Sequence, residues 1–183
     1  MIYLSKGMLQ ENVRGTVKVN RYGQLMTLEG RQAADWLRGR QAPQYLGQCR
    51  LSELESMGLV ETQPGKEFLT DVFRALTRCV IAPRSQRAPY WGLRTMEKNL
   101  LRFIREAGMR LTVAELVRIR ELKLAADESY LGIEQRQRLV SAIYDASNIE
   151  DGVLEAQMER SEALEETVAA LLTLLQKRRI ILL

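Results

Sequence analysis

Apolar residues in this chain recur at three- and four-residue spacing in short runs, and glycine or proline closes most of the runs. That punctuation constrains the fold more than any other feature. Each run is about a dozen residues long, too short to be a stable helix alone, so its apolar stripe must be buried against a neighbour. Phe68, Leu69, Val72, Phe73, Leu76 and Val80 form one stripe. Leu93, Met96, Leu100, Phe103 and Ile104 form another within a helix over 94–107, with Gly108 as its stop. Thr112-Val113-Ala114-Glu115 is a capping box, with Leu111 before it and Leu116 after it as a hydrophobic staple, and its helix runs to about Ala125. Ile133, Leu139, Val140, Ile143 and Tyr144 mark a further helix, and Ser147-Asn148-Ile149-Glu150 is a second capping box. Val168, Leu171, Leu172 and Leu175 carry the last stripe, and Lys177-Arg178-Arg179 suits its negative dipole end.

The first third reads differently. Val17 and Val19 alternate with polar neighbours, and Asn20-Arg21-Tyr22-Gly23 is turn chemistry, which predicts a β-hairpin over 16–27. Thr27 is placed to cap a helix over 28–39 that Gly39 stops, and Pro43 opens a second helix that runs to Met57 and ends at Gly58. Leu59-Val60-Glu61-Thr62 and Ile180-Ile181-Leu182-Leu183 read as short strands. The expected fold class is mostly α with short β wings. The stretch Ala82-Pro83-Arg84-Ser85-Gln86-Arg87-Ala88-Pro89 breaks the helical pattern and is the linker candidate. It predicts an N-terminal unit over 1–82, a linker over 83–93 and a helical unit over 94–183.

Composition removes several function classes. The 183 residues include no histidine, so the usual general base and the commonest metal ligand are missing. Cys49 and Cys79 allow one disulfide at most, and two unrelated buried thiols are the plainer reading. Neither a Gly-rich phosphate loop nor a nucleophile–base pair stands out, so the chain is expected to be neither an enzyme nor a holder of cofactor or metal. No apolar run reaches bilayer length and the opening residues do not read as a signal peptide, so a soluble, cytoplasmic protein is expected, with no membrane partner.

Charge then separates the halves. Net charge is +4, and 21 of the 27 basic residues are arginine, the side chain suited to bidentate phosphate and guanine contacts. Residues 66–110 hold ten basic groups against four acidic, whereas 111–183 hold nine against thirteen. One surface for a polyanion and another for a different partner is the expectation; an Arg-rich solvated helical surface is the plain alternative.

Two segments look alike. Arg50-Leu51-Ser52-Glu53-Leu54-Glu55-Ser56-Met57-Gly58-Leu59-Val60-Glu61 has the order helix, glycine stop, apolar strand. Thr167 to Ile181 repeats that order, with Arg179 where the glycine stood. Both resemble the end of the recognition helix and the first wing strand of winged-helix transcriptional regulators of the MarR and PadR types. The resemblance implies a winged-helix module in the first 65 residues, a second toward the C-terminus, and duplex DNA as partner. It places Gln44, Tyr45, Gln48 and Arg50 on the exposed face of the recognition helix. Arg38 and Arg40 would hold backbone phosphates, and Arg84 and Arg87, between Pro83 and Pro89, would form a basic arm. An ordinary solvated helix face and a polar interdomain loop are the alternatives for these residues. Tyr90 and Trp91 read as core or interface aromatics. Glu155, Glu159, Glu162, Glu165 and Glu166 crowd the approach to the last helix and repel phosphate, so the C-terminal half is expected to serve a homodimer or protein partner. The hairpin and the following helix are also similar to peptide-recognition winged helices attached to peptide-modifying enzymes. A non-catalytic adaptor that binds protein or peptide, by adding a strand to a sheet edge, is therefore the second expectation.

Overall fold

The computed structural model describes residues 1–87, 89–106, 110–124, 132–145 and 151–183. They form a mixed α/β fold of helices and small antiparallel sheets. The chain opens with four strands, β1 (Ile2–Ser5), β2 (Met8–Val13), β3 (Thr16–Arg21) and β4 (Gln24–Leu28). It continues through α1 (Gly30–Gly39), β5 (Gln44–Tyr45), α2 (Gln48–Ser56), β6 (Val60–Gln63), α3 (Phe68–Thr77) and β7 (Ile81–Pro83). Helices α4 (Thr95–Glu106), α5 (Val113–Glu121), α6 (Ile133–Ile143), α7 (Asp151–Met158) and α8 (Leu164–Gln176) follow, then β8 (Ile180–Leu182).

The expected hairpin is β3–β4, turning at Tyr22 (φ 51) and Gly23 (φ 88), and β2 extends it to a sheet of order β2-β3-β4. Val17, Val19 and Leu28 point inward. Thr27 lies in β4 and caps nothing; the N-cap of α1 is Glu29, and α1 starts at Gly30. The second helix begins at Gln48 rather than near Pro43, because β1 captures the chain at 44–46: Ile2 pairs with Tyr45, and Leu46 exchanges hydrogen bonds with Met1. The capping box at Thr112 is fully formed, with Thr112 Oγ1 accepting from the Glu115 N–H and Glu115 accepting from the Thr112 N–H. Ala82 and Pro83, the first residues of the linker candidate, lie in β7 and pair with β8. The second capping box at 147–150 and the stop at Gly108 lie outside the described residues.

The repeat seen in sequence extends further in three dimensions. β1 is the middle strand of its sheet, with β5 on one side and β6 on the other. In the second half β7 pairs with β8, and Ile81 also bridges Leu111, which sits between α4 and α5 as β5 sits between α1 and α2. Helices α2 and α8 end alike. Gly58 takes φ 63 and its N–H donates to the Glu55 carbonyl, while Leu59 donates to Leu54. Arg178 takes φ 54 and donates to Leu175, while Arg179 donates to Leu174. These are the paired bonds of a left-handed helix stop. The residue equivalent to Gly58 is thus Arg178, one position before the Arg179 that the sequence alignment chose.

Two apolar cores lie on either side of β1. Tyr3 faces the smaller, with Val17, Val19, Ala33, Trp36, Leu51 and Leu54. Ile2 and Leu4 face the larger, built from α3, α4, α5, α8 and the β7–β8 pair. The polar ends of the buried aromatics are satisfied, with Tyr3 Oη donating to the Asp35 carbonyl and Trp36 Nε1 to that of Lys6, both at 2.9 Å. Just past β1, the Lys6 N–H donates to Leu59 and the Gly7 N–H to Leu182, so two adjacent peptides tie the two sheets together. Gly7 takes φ +105, and a Cβ there would lie 2.6 Å from Val19 Cγ1.

Candidate polyanion interface

Where the two halves meet, a cleft of about 130 Å³ opens beside β1. Three arginines from three elements line it. Gly39 ends α1 directly against the Tyr3 ring and the Ser5 hydroxyl, a space no side chain fills, and so delivers the next residue, Arg40, to the cleft. The Arg40 guanidinium stacks on Trp36 at 4.8 Å from the ring centroid, which fixes its direction. Arg84 follows β7, anchored by its N–H to the Arg179 carbonyl at 2.9 Å. Arg178 stands at the left-handed stop of α8. Among the described residues no aspartate or glutamate lines the cleft. Burial, and then the neighbouring Arg84 and Arg178, pull the Arg40 guanidinium down to about 10. Ser5 also lines the cleft, and its hydroxyl, buried against Gly39, has no hydrogen-bond partner among the described residues. Such a site, positive and holding an unfilled polar atom, is complementary to an oxyanion.

The residues expected to read DNA are distributed differently from the sequence reading. Arg40 and Arg84 come together; Arg38 is exposed on α1, and Arg87 is exposed in the turn after β7. Gln44 and Tyr45 lie on β5, not on a helix. Gln44 donates weakly to the Ala42 carbonyl at 3.4 Å, and the exposed Tyr45 ring lies against Gly65. Gln48 is exposed in the first turn of α2. Arg50 has another task. Its Nε and one terminal nitrogen donate to the two carboxylate oxygens of Asp35 at 2.7 and 2.8 Å, and Asp35 is only 2% exposed. A buried carboxylate requires such a partner, so Arg50 is engaged by α1. With Arg50 neutralised, the charges left on the outer side of α2 are Glu53 and Glu55.

The chain matches no protein-family model, no curated protein and no solved structure. What it binds must therefore be argued from the cleft and its surroundings.

Several basic residues of 66–110 are compensated. Arg74 pairs with Glu159 and Arg102 with Glu106, while Arg105 lies over the Tyr90 ring at 4.8 Å. Tyr90 is thus a packed aromatic, whereas Trp91 is 75% exposed. The glutamates before and in the first turn of α8 are partly consumed as well, Glu166 by Arg120 and Glu159 by Arg74. Sequence reasoning missed Arg178 and Ser5. The first was read only as a complement to the helix dipole, and the second lies in a strand that the alternation did not reveal. Cys49 is exposed, contrary to expectation; Cys79 is buried, and its thiol is pushed up to about 12, chiefly by burial. A thiol held neutral is no nucleophile. Among the described residues no group of three metal-ligating side chains occurs, and no helix is long and apolar enough to cross a membrane.

Proposed function

We propose that this chain is a DNA-binding regulatory protein of winged-helix type that grips backbone phosphates with arginines at the junction of its two halves. The observation that carries the reading is the convergence of Arg40, Arg84 and Arg178 on one cleft that, among the described residues, no carboxylate lines. Phosphate contacts fix register and orientation on a duplex, and arginine is the side chain best shaped for them. Arg38 and Arg87 are exposed as well, on α1 and in the turn after β7. The order helix, sheet segment, helix, strand over α1, β5, α2 and β6 supports the winged-helix element of the proposal. The outer side of α2 lacks a free cation, so binding is driven by backbone charge, and base reading by Gln48 is secondary. The acidic approach to α8 is left to a second copy or a protein partner.

Fluorescence anisotropy with random duplex DNA across a salt series tests this. Log affinity falls against log salt with a slope of about −4 or steeper if several phosphates are engaged, and Arg84→Gln or Arg87→Gln reduces the slope by about one each. Absent or salt-insensitive binding removes the DNA reading.

A second reading, a peptide-binding adaptor, is favoured by the sheet β2-β3-β4. Its outer strands β2 and β4 each have one neighbour among the described residues, and Leu25 on β4 is 59% exposed. An open edge of this kind accepts an added strand.

A further inference from the structure

The cleft is too small for a groove-filling contact, and its chemistry is more specific than a basic surface requires. We infer that it is a built seat for a single phosphoryl group, with Arg40, Arg84 and Arg178 as the charge partners and the Ser5 hydroxyl as a neutral donor. The inference rests on the reading of the cleft as an anion site, but not on the anion being DNA. Four observations carry it. First, the cleft's free volume of about 130 Å³ is several times what one water needs and admits a tetrahedral oxyanion. Second, the three arginines come from the end of α1, the segment after β7 and the end of α8, so three separate elements deliver charge to one cleft. Third, Arg178 occupies a left-handed position at which the matching residue of the first half is glycine. An arginine there bears backbone strain that glycine does not, and what it adds is a guanidinium on the cleft wall. Fourth, Ser5 is 3% exposed and its hydroxyl has no hydrogen-bond partner among the described residues. A buried hydroxyl so placed gains a partner when an oxyanion enters.

The phosphoryl group has two possible sources, a nucleic-acid backbone or a small phosphorylated molecule, and one set of titrations separates them. Calorimetric titration of the full chain at low ionic strength would use inorganic phosphate, then phenyl phosphate, then a duplex with 5′-hydroxyl ends. Inorganic or phenyl phosphate is expected to saturate at one equivalent. Arg84→Gln and Arg178→Gln each weaken that binding about tenfold, Ser5→Ala weakens it about threefold, and Arg102→Gln, on α4 outside the cleft, leaves it unchanged. Arg178→Gly serves as a second variant that relieves strain while removing the guanidinium, so loss of binding there is not loss of fold. A duplex that displaces phosphate supports the site with the backbone as its source. Phosphate binding with no displacement by duplex, or with no duplex binding at all, supports the site with a small phosphorylated molecule as its source; the latter result also removes the DNA reading. Absence of saturable phosphate binding, or binding unchanged in Arg84→Gln and Arg178→Gln, overturns the inference even if the duplex binds.

Discussion

The two halves share a left-handed helix stop and use two kinds of arginine. In the first half Arg50 closes on a buried carboxylate, and the buried Lys6 pairs with the half-buried Glu61 of β6. Charge there holds helix to helix and strand to strand. At the junction, Arg40, Arg84 and Arg178 line a cleft that no carboxylate among the described residues shares. The contrast is sharpest at the two helix stops, where Gly58 and Arg178 share a left-handed backbone but not a side chain. An arginine's sequence context does not distinguish these roles; whether a buried acid faces it does.

The largest effect that tests this contrast is expected at Arg50. Arg50→Gln leaves Asp35 buried and unpaired and should cost about 3 kcal/mol of stability, read from urea unfolding. Arg84→Gln, by comparison, should cost less than about 0.5 kcal/mol. Equal costs at both positions would end the distinction between structural and ligand-facing arginines.

Next in size is an alkaline effect confined to the cores. The Cys79 thiol is held up at about 12 by burial, above its ordinary value of 9.0, so its stabilising contribution is complete below pH 9 and is lost as pH rises toward 12. At pH 10.5 that loss is about 2 kcal/mol. The Tyr3 phenol, raised to about 12 by burial and then by Asp35, adds a loss that begins near pH 10. Arg40 works in the opposite sense, since a guanidinium lowered to about 10 makes the folded state gain stability above that pH. Urea midpoints at pH 8 and 10.5 should therefore converge in Cys79→Ala relative to the parent chain; an unchanged gap would place the alkaline loss elsewhere.

The stops themselves give the smaller effects. Gly58→Ala forces a Cβ into a left-handed residue beside the Arg21 guanidinium and should cost about 1–2 kcal/mol. Arg178→Gly should instead gain about 0.5–1 kcal/mol while losing the phosphate response. A loss of stability at Arg178→Gly would mean that its side chain serves the fold.

Most helices were legible because their stripes are local. Leu100, Phe103 and Ile104 of α4, and Val168, Leu171 and Leu175 of α8, are buried as their spacing requires, and the Thr112–Glu115 box forms as written. The region 40–48 was not legible, because its conformation is dictated by β1, a partner more than forty residues distant that no local signal names. The candidate site was half legible for the same reason. Arg40 and Arg84 stood out as charges, but their convergence with Arg178 depends on how β7 and β8 close beside β1, and the engagement of Arg50 depends on a carboxylate one helix away.

The pair of peptides at Lys6 and Gly7 also sets a schedule. Lys6 donates to Leu59, which leaves the ribosome soon after it, but Gly7 donates to Leu182, and Ile2 and Leu4 pack into a core completed by α8 and β8. During synthesis the smaller body has every residue it needs once about a third of the chain has emerged. The larger must hold one face of an already paired strand open until the remainder arrives. Closing so long a loop is slow, and while it waits that strand offers its apolar face to chaperones or to another nascent copy.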